Sequence, residues 1–321
     1  MSFKEIIGQE TAIKILQNSL KERRRGISYL FYGPGGVGKS FTAKEFAKSL
    51  NCQQDALDSC GQCIPCLKSD KLEYPDLHWL DLKEDSQSIG IEHIRQMQSA
   101  VNFKPFEGKV KVFVINNAQA LSEEAANCLL KVTEEPPADS VVILITTQLR
   151  AVLPTISSRC QKIKFSNLRR MQVEGILSRD YALDLQESSY LARYCDGKIS
   201  AARALSGGDF LTRRKGILDT FSHGEGFEEF FKDKAQGKES LSILVSYFRD
   251  LMFVKAGMPA EYLINQDRFQ EVIAASRLYT HSELLSLLAK LSKSFEYIDQ
   301  NINLRLLTDN IWTAALRIWK K

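Results

Sequence analysis

Apolar residues at Ala12, Ile13, Leu16 and Leu20 recur every three or four positions, which predicts a helix over residues 10–24 ending in the charged run Lys21-Glu22-Arg23-Arg24-Arg25. The spacing then changes. Tyr29-Leu30-Phe31-Tyr32 reads as a short apolar strand, and after a glycine-rich stretch residues 41–50 return to helical spacing. Residues 110–115 (VKVFVI) and 141–146 (VVILIT) are nearly continuous apolar runs, as in strands buried on both faces of a parallel sheet. Between them residues 123–132 (EEAANCLLKV) predict a helix, with Ser122 as N-cap and a stop at Glu134-Glu135-Pro136-Pro137. Strands alternating with helices imply a three-layer α/β domain with a parallel sheet over residues 1–165. No strand pattern follows Phe165. Residues 166–207 read as a small helical lid interrupted at Asp196-Gly197. Residues 208–321 read as an all-helical domain with breaks at Gly224-Glu225-Gly226 and Gly257-Met258-Pro259. In that domain Leu284, Leu287, Leu288, Leu291 and Phe295 share one helix face, as core residues do.

Composition narrows the class without naming it. The chain has 321 residues, 44% hydrophobic and 26% charged, which suits a globular protein of more than one domain. The net charge of +4 permits contact with a phosphate backbone but does not demand it, and the basic run at 21–25 reads as a solvated helix end. No apolar run approaches the roughly 20 residues that span a bilayer. The opening MSFKEIIGQE lacks the basic and apolar regions of a secretory signal, so the expectation is a cytoplasmic chain that does not engage membranes.

Gly33-Pro34-Gly35-Gly36-Val37-Gly38-Lys39-Ser40 matches G-x-x-x-x-G-K-[ST] between a predicted strand and a predicted helix. Glycines let backbone N–H groups converge on an anion, and the helix N-terminus adds positive potential. Lys39 would reach the outer phosphates and Ser40 would ligate Mg²⁺, so ATP or ADP with Mg²⁺ is the expected ligand. Hydrolysis also needs carboxylates at the tip of a neighbouring strand, one to help hold the metal and one to activate water. The strand at 110–115 supplies Asn116-Asn117 instead. Asp76, Asp81 and Asp139 are other acids, but none follows that strand, so binding is expected with little hydrolysis.

Of seven cysteines, Cys52, Cys60, Cys63 and Cys66 cluster as C-x₇-C-x₂-C-x₂-C. Two-residue gaps let thiolates converge on one ion, and four sulfurs suit a structural Zn²⁺ ahead of an iron–sulfur cluster. Polar Gln53, Gln54, Asp55, Asp58 and Gln62 fit a surface module at 52–66, whereas Cys128, Cys160 and Cys195 read as core.

Several of these segments together resemble the clamp-loader branch of the AAA+ family. Ile7-Gly8-Gln9 is similar to its adenine-side box, which implies that Gly8 and Gln9 help bind nucleotide. A zinc insertion after the phosphate-loop helix, the stretch Ala125-Ala126-Asn127-Cys128-Leu129-Leu130-Lys131 before Glu134-Glu135-Pro136-Pro137, and Ser158-Arg159-Cys160 resemble segments of the bacterial DNA polymerase III gamma/tau and delta-prime families. Phe248-Arg249-Asp250-Leu251 and Asn301-Ile302-Asn303-Leu304-Arg305-Leu306 resemble parts of their helical collar. Asn116-Asn117, Ser200 where the motor subunits carry a sensor arginine (Arg203 follows one turn on), and the chain length all favour the delta-prime side. The resemblance implies a ring-shaped assembly with gamma/tau and delta subunits that loads a sliding clamp onto primed DNA. It implies Arg159 as an arginine finger acting on a neighbour's nucleotide, and Thr147 as the sensor-1 residue. An active gamma/tau-type ATPase and a stand-alone nucleotide-binding regulator are the other readings.

Overall fold

The computed structural model describes residues 2–54, 57–82, 86–101, 103–223, 227–300 and 302–319. The break expected at Gly224-Glu225-Gly226, Asp55 beside the cysteines, and Asn301 lie outside the described residues. The chain divides into two compact units, Met1–Gln172 with Gly197–Ser200, and Val173–Asp196 with Ala201–Lys321.

The first unit runs α1 (Glu10–Lys21), β1 (Ile27–Tyr32), α2 (Lys39–Asn51), α3 (Ile64–Asp70), β2 (Leu77–Leu80), α4 (Ile91–Val101), β3 (Lys111–Ile115), α5 (Glu123–Glu134), β4 (Ser140–Thr146), α6 (Pro154–Arg159) and β5 (Gln161–Lys164). The strands form one parallel sheet in the order β2-β3-β4-β1-β5. β1 is the inner strand that carries the phosphate loop. It pairs with β4 from Ile27↔Val141 onward and with β5 from Tyr29↔Gln161 onward. Parallel neighbours need long crossovers, and the helices supply them. β3 and β4 are buried at every position, and Phe113, Val142 and Leu144 pack with Ile94, Ala125 and Leu129 from α4 and α5. This is the α/β parallel-sheet architecture expected of an AAA+ phosphate-loop domain.

Two charged residues enter this core with their groups satisfied. Lys111 breaks the apolar run of β3, is buried, and donates to the carbonyls of Ala100 at 2.9 Å and Phe103 at 3.0 Å. Asp76 is fully buried, and its carboxylate accepts from the backbone N–H groups of Phe106, Glu107 and Gly108 at 2.7–2.8 Å. Ser122 caps α5 by accepting from the Ala125 N–H, as its position suggested.

The second unit holds most of α7 (Arg170–Tyr181), α8 (Leu185–Tyr194), most of α9 (Ile199–Ser206), α10 (Phe210–His223), α11 (Lys234–Lys255), α12 (Phe269–Ser276), α13 (His281–Asp299) and α14 (Leu304–Trp319), with no strand among its described residues. α8 and α13 each open with a capping box, Asp184 with Glu187 and Thr280 with Glu283. Leu284, Leu287 and Leu291 of α13 are buried, and α13 packs against α11, whose Leu241, Leu244, Phe248 and Leu251 are buried as well. A buried polar centre joins helices distant in sequence. Arg214 pairs with Asp267 at 2.7 Å, donates to Asn265 Oδ1 at 2.9 Å, and lies 3.6 Å from the centroid of the Tyr190 ring. No helix among the described residues is long and apolar enough to cross a membrane.

Candidate nucleotide site and cysteine cluster

β1 delivers the chain into the phosphate loop at Gly33. Its φ is +146°, and a Cβ there would lie 2.1 Å from the carbonyl oxygen of Phe165, just past β5, so only glycine fits. Gly36 and Gly38 take φ of +74° and +96°, which turn the loop into the start of α2 at Lys39. The helix N-terminus therefore faces a cleft of about 260 Å³, lined among others by Gly35, Lys39, Ser40, Asn116, Thr147 and Ser200. Lys39 donates through Nζ to the loop carbonyls of Gly33, at 2.8 Å, and Pro34. Burial pushes its ammonium down to about 8. The Ser200 backbone N–H donates to the Gly36 carbonyl at 3.0 Å.

The residues expected on the adenine side sit behind the loop. Gln9 is buried. Its amide donates to the carbonyls of Val37 at 3.3 Å and Ser166 at 2.8 Å and accepts from the Ser166 N–H at 3.2 Å. Gln9 thus clamps the phosphate loop to the segment after β5. Gly8, at φ +77°, packs against Leu168 and Gln172. Gly8, Gln9 and Gly33 shape the loop without lining the cleft, whereas Gly35, Gly36, Gly38, Lys39, Ser40 and Thr147 line it.

The tip of β3 has an acidic neighbour, although no acid follows β3 itself. Asp81 follows β2, the neighbour of β3 in the sheet, and its carboxylate meets the Asn116-Asn117 pair directly. Asn116 Nδ2 donates to Asp81 at 2.8 Å and Asn117 Nδ2 at 2.9 Å. Ser40 Oγ donates to Asn116 Oδ1 at 3.1 Å. An acid therefore stands at the adjacent strand end, although it does not line the cleft. The sequence offered Asp81 as one acid among three but could not place it beside the pair, because β2 (LHWL) is too short to reveal its phase and a polar stretch follows. Asp139 instead pairs with Arg25 at 3.2 Å. Arg203 does not line the cleft. It pairs with Asp180 at 3.1 Å within the second unit, and Lys39 is the cation among the described residues that line the cleft.

Arg159 closes α6. Its Nη2 donates to Glu134 at 3.0 Å and Nη1 to the Thr155 carbonyl at 2.8 Å, with both ends of the ion pair exposed. It does not line the cleft of its own chain.

The ligand atoms of Cys52, Cys60, Cys63 and Cys66 lie within 4.8 Å of one another, and Cys60 Sγ is 3.9 Å from Cys66 Sγ. Four thiolates about 2.3 Å from a tetrahedral zinc stand about 3.8 Å apart, so this cluster could hold a metal ion. The backbone N–H groups of Gln62 and Cys63 aim at Cys60 Sγ and hold its thiol down to about 6, while burial pushes the Cys52 and Cys66 thiols up.

A family model described as "DNA polymerase III, delta subunit" matches residues 8–169, just over half of the chain, and the C-terminal model of that subunit matches residues 214–315. The chain is 28% identical to DNA polymerase III subunit delta' of Bacillus subtilis (strain 168) over 315 residues, 94% of either chain. It is 29% identical to subunit tau of the same organism over 88% of this chain and 57% of the relative. It is also similar to a solved gamma subunit-related protein of Thermotoga maritima, with a TM-score of 0.44 at 18% identity over 95% and 98% of the two chains. With a phosphate loop on β1 of a parallel sheet and matches at both ends of the chain, this protein belongs to the DNA polymerase III delta subunit family.

Proposed function

We propose that the chain is a clamp-loader subunit of the delta-prime type. It would assemble with gamma/tau and delta subunits, help load the sliding clamp on primed DNA, and hydrolyse little or no ATP itself. The observation that carries this reading is the pair Asn116-Asn117 at the tip of β3, where a hydrolysing site needs carboxylates, with both amides held by Asp81 outside the cleft. The match to subunit delta' along 94% of both chains supports it. In this reading residues 1–165 form the nucleotide domain, 166–207 a lid and 208–321 the oligomerising collar, and zinc in the cysteine cluster stiffens the module at 52–66. Arg159 would reach a nucleotide held by a neighbouring subunit and stabilise charge on its outer phosphate.

The experiment is steady-state ATPase on the isolated chain and on the assembled loader, with and without Arg159→Ala. Negligible turnover alone, and a complex rate that falls by about 10³-fold or more in the variant while nucleotide binding by this chain persists, would fit the proposal. An unchanged complex rate would remove the finger role. A second reading, an active gamma/tau-type ATPase, draws on the complete loop Gly33–Ser40 and on the similarity to tau. Turnover by the isolated chain at the level of a motor subunit would favour it.

A further inference from the structure

Asp81 sets the direction of a hydrogen-bond chain across the phosphate-loop cleft. An ionised carboxylate only accepts, so the two groups facing it must be amide nitrogens, those of Asn116 at 2.8 Å and Asn117 at 2.9 Å. Each amide oxygen is thereby turned the other way. Asn116 Oδ1 faces the Ser40 hydroxyl at 3.1 Å, and Asn117 Oδ1 faces Gln119 Nε2 at 3.1 Å. Gln119 Oε1 is then left to accept the Thr147 backbone N–H at 3.3 Å. Flipping Asn116 would set its oxygen against the carboxylate, and flipping Asn117 would do the same while turning its nitrogen toward that of Gln119. One negative charge outside the cleft therefore decides what the cleft presents on both sides of the loop.

What it presents does not fit magnesium. Mg²⁺ demands near-ideal octahedral oxygen coordination and is usually held by one or two carboxylates plus phosphate oxygens. Among the described residues lining the cleft there is no carboxylate; the Ser40 hydroxyl gives its proton to Asn116 and keeps its oxygen lone pairs, but it is a single neutral ligand and brings no charge to offset a divalent cation. Positive charge comes from Lys39, from the inward N–H groups of the loop, and from the N-terminus of α2. That set matches two phosphates. A third would bring charge that neither a metal nor a second cation offsets, since Lys39 is the one cation among the described residues that line the cleft.

We infer that the cleft is a magnesium-independent nucleoside diphosphate site, with Asp81 as the positioning residue that makes it so. This rests on the reading of the chain as a nucleotide holder that hydrolyses little.

The test is calorimetric titration of the full chain with ADP in magnesium and in EDTA. The wild-type protein is expected to bind ADP with affinities within about fivefold of each other, a difference of about 1 kcal/mol. The double variant Asp81→Asn, Asn116→Asp moves the charge from the tip of β2 to the tip of β3 without changing the charge count. Folded to the same melting temperature, it should bind ADP at least about tenfold more tightly with magnesium than without. Wild-type affinity that falls more than about fivefold in EDTA overturns the inference. So does the absence of ADP binding in both buffers, and so does a folded swap variant indifferent to magnesium. The wild-type comparison alone is decisive if the swap variant does not fold. Failure of the underlying reading shows elsewhere, as ATP turnover by the isolated chain, so the two failures are read on different axes.

Discussion

Lys48 lies 3.0 Å from the Glu45 carboxylate with neither side chain exposed to solvent. The same ammonium donates to Asp70 of α3 at 2.9 Å, and Glu45 accepts from the hydroxyl of Ser59, beside Cys60, at 3.2 Å. Burial alone would lower the Lys48 pKa, but hydrogen bonds and charge from Asp70 and Glu45 outweigh it, and the net shift is upward. The pair roots the cysteine module in the phosphate-loop helix. Lys48→Met would leave Glu45 charged and dry, and should cost about 3–5 kcal/mol in urea unfolding. Adding Glu45→Leu should recover much of that loss. If the single and double variants unfold at the same urea concentration, the pair is not the root.

Lys39 predicts two opposite pH dependences. Its folded-state pKa is about 8 against an ordinary 10.5, so between those values the unfolded chain binds the extra proton. Stability without nucleotide should therefore rise from pH 8 toward 10 as the buried charge is relieved. The stabilisation conferred by ADP, which needs the ammonium, should shrink over the same interval. Melts at pH 7.5 and 9.5 with and without ADP measure both, and Lys39→Met should abolish both trends.

The cysteine cluster predicts metal content. The purified protein should carry about one zinc per chain by elemental analysis, and Cys63→Ser should lose most of it. Because Asp58 of the module also accepts from the Phe3 N–H at 2.9 Å, protease cleavage near residues 52–66 should quicken in the variant. Wild-type protein free of metal after purification without chelator would remove the zinc assignment.

Gly33→Ala tests the close approach of backbone to backbone beside β1 and β5. The methyl group would fall 2.1 Å from the Phe165 carbonyl oxygen at a φ that L-residues rarely adopt. Neither partner is a side chain that can turn away. The variant should lose several kcal/mol or fail to fold, whereas alanine at Gly175, where no atom lies within 4 Å, should be tolerated. Equal melting temperatures for the two would contradict the geometry.

The inner strands β3 and β4 were legible because their apolar runs are nearly continuous, with Lys111 the one charged residue in them. The apolar runs at 110–115 and 141–146 agree with β3 and β4 to within one residue. The edge strands were not. β2 and β5 have four residues each, and β5 buries only Ile163, so neither shows a period. The lone Lys111 is tolerated in β3 because two carbonyls wait for it, which no linear pattern shows. In the site, the loop residues were readable from spacing. The place of Asp81 was not, because it depends on sheet order: Asp81 is 35 positions from Asn116 in sequence but directly follows the strand adjacent to β3. Gln9 was marked only by the resemblance, and its hydrogen bonds to Ser166, 157 positions away, are ones no linear pattern shows.

Strand order also has a consequence in time. β1 is the first strand to leave the ribosome and lies inside the sheet, yet its two partners begin at Ser140 and Gln161. At about 5–20 residues per second, the apolar segment ISYLFY waits roughly 6–20 s before either neighbour exists. The phosphate loop can take its final shape only later still, once Phe165 and Ser166 arrive to close against Gly33 and Gln9. The sequence hallmark of the protein is thus made early and assembled last, so a nascent chain truncated before residue 160 should carry the whole motif without the loop geometry that gives it meaning.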